Sequence, residues 1–303
     1  MGISARPTCV VSLLTDYGLA DGFVGALHSV LRRRVPEVPI VDLTHEVAPH
    51  DVRAGSLALW RAAPYLATGV VVAVVDPGVG TKRRAVAVAT PEIVFVGPDN
   101  GLLVPAVDAL GGACQAVELE DRGYWLEAPG PTFAGRDIFA PAAGELAAGR
   151  ELADLGPAIE VASLARLPAP VTRQRGDGTL EAEVTWVDRY GNVQLAVSPE
   201  SLAPLVAGGT VGVARVSAGG RGHEEGPARV VRTFADIDPG QLGLVVDSYG
   251  CVALFLYGTS AARRLGIEER DVVIISPGSE KQCRGPAAWR RHSDGSLSRT
   301  GPS

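Results

Sequence analysis

The sequence has few cysteines, no long hydrophobic run and no excess of basic residues, and each absence excludes a class of protein. Its cysteines, Cys9, Cys114, Cys251 and Cys283, are far apart and form no CxxC or Cys/His cluster. This spacing argues against a zinc site and a disulfide framework, and favours a reducing cytoplasm. No apolar stretch reaches the roughly 18 residues of a membrane span. The net charge is −6 and the basic residues are scattered, which predicts no nucleic-acid partner.

The distribution of apolar residues predicts two domains. The first half alternates short β-branched runs with helical stretches, which is typical of βαβ units and a mainly parallel sheet. Composition changes near residues 164–171, and many short strands follow. We predict an α/β domain over 1–168, a smaller all-β, barrel-like domain over 169–277 and a disordered tail over 278–303.

Within the first domain, the apolar runs predict strands at 9–14, 39–43, 69–75, 85–89 and 92–96. Helical periodicity predicts helices at 23–34 and 52–67, and a third between Asp137 and Gly149 with Pro141 in its first turns. A loop is predicted at 217–226 in the second domain.

Acidic residues lie at or just after the ends of four of the predicted strands, namely Asp16, Asp42, Asp76 and Asp99. Ligands of open α/β sheets collect outside the carboxyl ends of the strands. The four acids therefore predict a polar pocket that tolerates a cation. Taken singly, each acid is also an ordinary helix cap or turn residue.

Asp76 begins a glycine-rich turn, DPGVGTKRR, whose spacing matches no phosphate-binding loop and predicts a tight hairpin between adjacent strands. Asp76 and Arg83 stand at opposite ends of this turn, close enough for a charge-assisted pair that orients the carboxylate. A surface ion pair is the alternative.

Two further turns carry polar groups. Asp137 stands near the predicted start of a helix, where backbone amides can face an anion or a polarised water, although a plain capping turn has the same residues. The 188–192 turn, DRYGN, offers an aromatic ring and an amide to an adenine, or is an ordinary hairpin turn. Among the histidines, His45 and His50 are placed to line a pocket.

Ordered motifs from residue 9 to 275 carry a family resemblance. They are VSLLTDYGLADGFVG, VDLTHEVAPHDVRAG, VVDPGVGTKRRAVAV, VGPDNGLL, TFAGRDIFAPAA, VDRYGNV and VDSYG. Together they resemble the S-adenosyl-L-methionine (SAM) hydrolase (adenosine-forming) family, also called SAM hydroxide adenosyltransferases. The same superfamily contains the SAM-dependent fluorinase and chlorinase.

The resemblance implies hydrolysis of SAM to adenosine and L-methionine, by SN2-type attack of water on ribose C5′. It implies a homotrimer, with each SAM between the N-terminal domain of one subunit and the C-terminal domain of its neighbour, and no metal or cofactor. The residues it assigns to SAM are Asp16, His50, Phe133 and Gly135 for the ribose and C5′ side, Asp21, Asp188 and Ser248 for the methionine, and Tyr190, Asn192, Phe234 and the backbone near Gly258 for adenine, with Tyr249 in the same set.

The family is expected to position and polarise water with an Asp, an Arg and a His. Asp76 and Arg83 match the first two, whereas Ala134 occupies the position of the family His, which implies a rate impaired by roughly 10²–10⁴-fold. Halogenases have Tyr and Thr at the Asp76 and Arg83 positions. A carboxylate about 4 Å from a halide repels it by about 4 kcal/mol at an effective dielectric of about 20, which favours water. A SAM-dependent halogenase and a non-catalytic SAM or adenosine binder remain the alternatives.

Overall fold

The computed structural model describes residues 9–216, 222–278, 289–291 and 297–299. The chain divides into two compact units on either side of the Pro168–Ala169 bond. Each unit contains its own hydrophobic core. Among the described residues, no helix combines the length and apolar character needed to cross a membrane.

The N-terminal unit is an α/β structure, as predicted. Its strands are β1 (Val10–Thr15), β2 (Ile40–Thr44), β3 (Gly69–Val74), β4 (Ala85–Ala89), β5 (Ile93–Pro98) and β6 (Gln115–Glu118). Its helices are α1 (Phe23–Arg34), α2 (Val52–Ala62), α3 (Val104–Ala109) and α4 (Ala140–Ala147).

The sheet of this unit has the strand order β2-β1-β3-β5-β4-β6. The pairs β1–β2, β1–β3 and β3–β5 are parallel, whereas β4 is antiparallel to both β5 and β6. The predicted hairpin between adjacent strands is therefore wrong, because β5 lies between β3 and β4. The loop from Asp76 to Arg83 crosses the position of β5 instead of joining two neighbours.

The helix predictions are accurate where periodicity is strong. Helix α1 has the predicted bounds and buries Val24, Leu27 and Leu31 on one face. The predicted second helix is too long, since α2 ends at Ala62 and a 3₁₀ turn with a proline in its first turn follows at Ala63–Tyr65. Proline has no N–H to continue an α-helical ladder. The short elements α3 and β6 carry too weak a pattern and were not predicted.

The C-terminal unit is an all-β barrel. Its strands are β7 (Thr172–Gln174), β8 (Leu180–Val187), β9 (Val193–Leu195), β10 (Thr210–Val216), β11 (Gly222–Val230), β12 (Leu242–Val246), β13 (Val252–Leu256) and β14 (Val272–Pro277). Short helices α5 (Pro199–Leu202) and α6 (Ala261–Leu265) accompany them.

The barrel closes because β14 pairs with β8 as well as with β10. The order around it is β8-β9-β13-β12-β11-β10-β14, and β7 adds to the outside of β8. Closure satisfies strand edges that would otherwise be exposed. The apolar interior includes Val184, Leu254 and Ile275, each at most 1% exposed. The predicted barrel-like fold is confirmed.

Two sequence predictions concern segments that the structure describes only in part. Residues 217–221 of the predicted loop 217–226 lie outside the described residues. For residues 222–226 the loop prediction is wrong, because they belong to β11 and their backbone pairs with β10. In the predicted disordered tail, an antiparallel pair is described, β15 (Trp289–Arg291) with β16 (Leu297–Arg299). Residues 279–288, 292–296 and 300–303 lie outside the description, so disorder there stays a prediction.

Candidate active site

A cavity of about 360 Å³ lies in the N-terminal unit, beyond the carboxyl ends of β1 and β3. These strands are parallel neighbours, so the residues that follow them meet at one edge of the sheet. Asp16 follows β1 directly and Asp76 follows β3 after one residue. The other lining residues are Tyr17, Phe23, Pro49, His50, Val79, Thr132, Phe133, Ala134 and Gly135.

Asp16 is fixed by a distant backbone group. Its Oδ2 accepts a hydrogen bond from the N–H of His50 at 2.9 Å. His50 has φ of 67°, in the left-handed region that non-glycine residues rarely adopt. The next residue, Asp51, caps α2 by accepting from the N–H of Ala54 at 2.9 Å. A strained residue such as His50, held by a hydrogen bond to Asp16 and by the start of α2, is typical of functional sites.

Asp76 and Arg83 form the expected ion pair. Arg83 Nε–H donates to Asp76 Oδ1 at 3.0 Å and to Oδ2 at 2.9 Å, and Arg83 Nη2 also donates to Oδ2. The two side chains are only 6% and 14% exposed, so this is not a pair on the open surface. The Arg83 guanidinium also lies 5.2 Å from the ring centre of Phe139. Oδ1 receives one of the three hydrogen bonds and so retains the greater capacity to accept another.

Three aromatic rings also line the cavity. Tyr17, Phe23 and Phe133 contact one another with ring centres 5.1 to 5.9 Å apart. Burial, and next the negative charge of Asp16, raise the pKa of Tyr17 well above its usual value. Its hydroxyl is therefore neutral at physiological pH and serves as a hydrogen-bonding group, not as a base.

Gly135 makes room for the Tyr17 hydroxyl. A Cβ added at Gly135 would lie 2.3 Å from Tyr17 Oη, a separation that forces one of them to move. The residue also begins the π-helical turn Gly135–Phe139, which precedes α4 and contains Asp137. The predicted capping role of Asp137 is not seen, because its carboxylate instead accepts from Arg136 at 2.6 Å.

We expect Gly135→Ala to lower the free energy of unfolding by about 1–3 kcal/mol, because overpacking displaces Tyr17 or the turn. Urea denaturation measures this difference. Gly130→Ala is the matched control, since a Cβ there meets no atom within 4 Å. Equal stability of the two variants would contradict the assigned contact.

Ala134 separates two cavities. It lines the 360 Å³ cavity and also a second one of about 760 Å³, whose wall includes Arg83, Glu118 and Trp125. Ala134 is itself buried, at 7% exposed. The position at which the resemblance places a histidine is therefore a small side chain between two open spaces.

The other strand-end acids do not join Asp16 and Asp76. Asp99 accepts from Arg84 Nε at 2.8 Å and from the N–H of Ala165 at 2.8 Å, so it fixes the 163–165 segment. Asp42 contacts His28 and His45 instead of the cavity. Burial raises the pKa of Asp42, but these imidazoles outweigh burial and lower it. The predicted convergence therefore holds for two of the four acids.

In the C-terminal unit, Asp188 organises the turn between β8 and β9. Its Oδ1 accepts from the N–H groups of Tyr190 and Asn192, each at 2.9 Å, and its Oδ2 accepts from Asn192 Nδ2 at 2.8 Å. Gly191 completes the turn with φ of 82°, and a Cβ there would lie 2.0 Å from Ser260 Oγ. Both carboxylate oxygens of Asp188 thus already accept hydrogen bonds within the turn.

A cavity of about 910 Å³ adjoins this turn. It contains the predicted adenine residues, Tyr190, Asn192, Phe234 and Gly258, and the ring of Phe234 packs edge-on against Phe255 at 4.9 Å. Gly258 has φ of 79° and open space beside its Cα. A lining that combines aromatic and aliphatic side chains with a few polar ones is typical of small-molecule sites.

Ser248 and Tyr249 lie in a second turn, between β12 and β13, and do not line this cavity. Since β9 is antiparallel to β13, with Val193 opposite Leu254 and Leu195 opposite Val252, the two turns lie at opposite ends of that strand pair. Within this unit, Ser248 is therefore not brought next to Asp188. In the N-terminal unit, Asp21 is exposed and does not line the 360 Å³ cavity.

Several lining residues were missed from the sequence. Tyr17 and Phe23 line the 360 Å³ cavity, and Tyr257 and Arg263 line the 910 Å³ cavity. Tyr17 stands directly after Asp16, so its place beside the carboxylate was a usable signal. The others carry no local signal, because an aromatic residue or an arginine at such a position is equally common on an ordinary surface.

Comparison with known proteins follows the same division of the chain. The family model for the SAM hydroxide adenosyltransferase N-terminal domain matches residues 11–156, and that for the C-terminal domain matches residues 182–274. A protein of Salinispora tropica named (R)-S-adenosyl-L-methionine hydrolase is 50% identical over 273 residues, which are 90% of this chain and 99% of that relative.

Two more comparisons concern a solved structure and a more distant relative. The crystal structure of an uncharacterized conserved protein from Thermotoga maritima matches with a TM-score of 0.79 and 33% identity, covering 88% of this chain and all of that one. A fluorinase of an Actinoplanes species is more distant, at 25% identity over 209 residues, which are 61% of this chain and 70% of that relative.

Proposed function

The chain belongs to the SAM hydroxide adenosyltransferase family, and from that premise we propose that it hydrolyses (R)-S-adenosyl-L-methionine to adenosine and L-methionine. The observation that carries the proposal is the nearly buried Asp76–Arg83 pair beside Asp16 in one cavity. It provides an oriented carboxylate next to a space for substrate. The relative at 50% identity bears the name of this same activity.

The chemical step is a displacement at ribose C5′. A water oxygen attacks C5′, the C5′–S bond breaks, and its electron pair goes to the sulfur, which leaves as the neutral thioether of methionine. The water proton passes to Asp76, whose Oδ1 has the free capacity to accept it. Because the sulfonium is already a good leaving group, the protein contributes mainly by holding water, C5′ and sulfur in line.

The same pair favours water over halide. A halide at the water position would face the Asp76 carboxylate, only partly offset by Arg83. At about 4 Å and an effective dielectric of about 20, one such repulsion amounts to about 4 kcal/mol. A neutral water experiences no such repulsion and gains a hydrogen bond.

Substrate binding is proposed to use residues of both units. Asp16 and the Tyr17–Phe133 side would hold the ribose, and the 910 Å³ cavity near Tyr190 and Phe234 would hold adenine. The methionine ammonium would face Asp21 and Asp188, and its carboxylate would face Ser248. No cofactor is proposed, and we assign the enzyme to the cytoplasm, where the free thiols of Cys9, Cys114 and Cys251 are stable.

We further propose a homotrimer in which neighbouring copies complete each site. Exposed aromatic side chains grouped around one cavity support an interface, since Tyr190 is 80%, Phe234 46% and Tyr257 42% exposed. Sedimentation equilibrium should give three times the 31.4 kDa chain mass. A monomer at micromolar concentration would refute this part while leaving the reaction open.

The reaction is tested by incubating the protein with SAM in H₂¹⁸O. We expect adenosine and methionine in equal amounts, with ¹⁸O in the 5′-hydroxyl of adenosine. Parallel samples contain chloride or fluoride. Halide-dependent formation of 5′-halo-adenosine would contradict the proposed hydrolase activity and indicate a halogenase. Binding of SAM in a calorimeter without formation of any product would indicate a non-catalytic binder.

A further inference from the structure

A cluster of two histidines and an aspartate lies in the N-terminal unit, outside the residues that line the 360 Å³ cavity. His28 on α1 places Nε2 at 2.9 Å from Asp42 Oδ1. His45, just after β2, places Nε2 at 3.1 Å from the same oxygen. The three ligand atoms all lie within 4.8 Å of one another. We call these residues the His–Asp–His cluster.

His45 is the unusual member of the cluster. Its side chain is only 3% exposed, and its Nδ1 lies 2.8 Å from Thr15 Oγ1. Its Nε2 is buried and makes no well-aligned hydrogen bond, and the atom that approaches it is Asp42 Oδ1 at 3.1 Å. A buried ring nitrogen whose hydrogen bonding is incomplete is unfavourable, and a bound cation shared with the Asp42 carboxylate would satisfy it.

We propose that the His–Asp–His cluster binds a divalent transition-metal ion of the Zn²⁺ class. Two imidazoles and one carboxylate suit zinc and its neighbours, whereas Ca²⁺ and Mg²⁺ prefer sites made only of oxygen. Three protein ligands leave one coordination position for water. The Thr15 hydroxyl, 2.8 Å from Nδ1, can accept the other ring N–H and so orient His45 for ligation, the role that an outer partner has in metal sites.

The location of the cluster assigns this ion a role in stability and not in the proposed hydrolysis. The ion would tie α1 to β2, the edge strand of the sheet. His45 also accepts the N–H of Gly18 through its backbone oxygen at 2.8 Å, so the site adjoins the loop that carries Asp16. Ion binding therefore stabilises the folded form through linkage.

The test uses full-length, tag-free protein that has been freed of metal with a chelator. Titration with Zn²⁺ in a calorimeter should show one site per chain and a raised thermal midpoint. His28→Gln and Asp42→Asn are the variants of choice, because these side chains are 33% and 42% exposed and tolerate change better than buried His45. Loss of an outer partner costs about 10–100-fold in affinity, so loss of a ligand should cost more than about 100-fold.

Glu46→Gln is the matched control, because it removes an exposed carboxylate next to His45 without altering the cluster. It should bind Zn²⁺ as the parent does. An independent readout is Co²⁺ in the parent protein, which should shift the ring-proton resonances of two histidines in the NMR spectrum. Absence of stoichiometric Zn²⁺ binding, unshifted histidine resonances, or unchanged affinity in both variants would overturn the proposal. Hydrolysis of SAM is measured separately, so failure of one proposal is distinguishable from failure of the other.

Discussion

Asp76→Asn should lower kcat for SAM hydrolysis by about 10²–10⁴-fold, measured by chromatography of adenosine at saturating SAM. Asparagine keeps the shape of the side chain and one oxygen that accepts from Arg83, but it cannot take the proton of the attacking water. It also leaves the Arg83 charge uncompensated beside a cationic substrate. The loss should therefore persist at every pH at which the parent enzyme is active.

Asp99→Asn provides a closely matched control. Asp99 also follows a strand of the same sheet, is 6% exposed as Asp76 is, and pairs with an arginine, Arg84. Both variants should lose unfolding free energy, because each weakens a nearly buried ion pair. Only Asp76→Asn should lose turnover. Equal losses of kcat would mean that Asp76 supports the fold and takes no part in the chemistry.

The fold was predictable from the sequence wherever the apolar period was long. Helix α1 shows this best, since its buried Val24, Leu27 and Leu31 follow the helical period and its bounds were predicted correctly. Strand order was not predictable, because pairing depends on which distant strands pack together. The incorrect hairpin at Asp76–Arg83 is the clearest consequence, as nothing local indicates that β5 would insert between β3 and β4.

The candidate site was predictable in its acids but not in their grouping. Asp42 lies within β2 and Asp16, Asp76 and Asp99 follow their strands closely, yet only Asp16 and Asp76 line the cavity. Which acids line the cavity depends on their tertiary partners, since Asp99 forms an ion pair with Arg84 and Asp42 contacts the imidazoles of His28 and His45. Likewise, the need for glycine at position 135 arises from Tyr17, which is distant in sequence.

Two turns in the barrel show why a shared motif does not fix a shared role. In DRYGN and DSYGC, the aspartate Oδ1 accepts from the N–H groups two and four residues later, at 2.8 to 3.0 Å. The first turn adjoins the 910 Å³ cavity and the second does not. Their common chemistry is therefore that of a hairpin turn, and any role toward SAM depends on what lies beside each one.

Ala134→His should raise kcat by about 10²–10⁴-fold, the usual contribution of a positioned general base. The residue stands between cavities of about 360 and 760 Å³, so the structure has room for an imidazole beside the Asp76–Arg83 pair. Because only the neutral ring accepts a proton, the gain should increase as pH rises through about 6.5, the ordinary pKa of histidine.

Ala134→Leu separates this chemistry from packing, because leucine fills comparable space without a ring nitrogen. It should give no gain and no new pH dependence. If leucine raises kcat as much as histidine does, the benefit comes from filling the space between the cavities. A further outcome is that Ala134→His gives no gain in kcat while Asp76→Asn still abolishes turnover. Asp76 would then be the only proton acceptor that the reaction needs, and a histidine at position 134 would not be required.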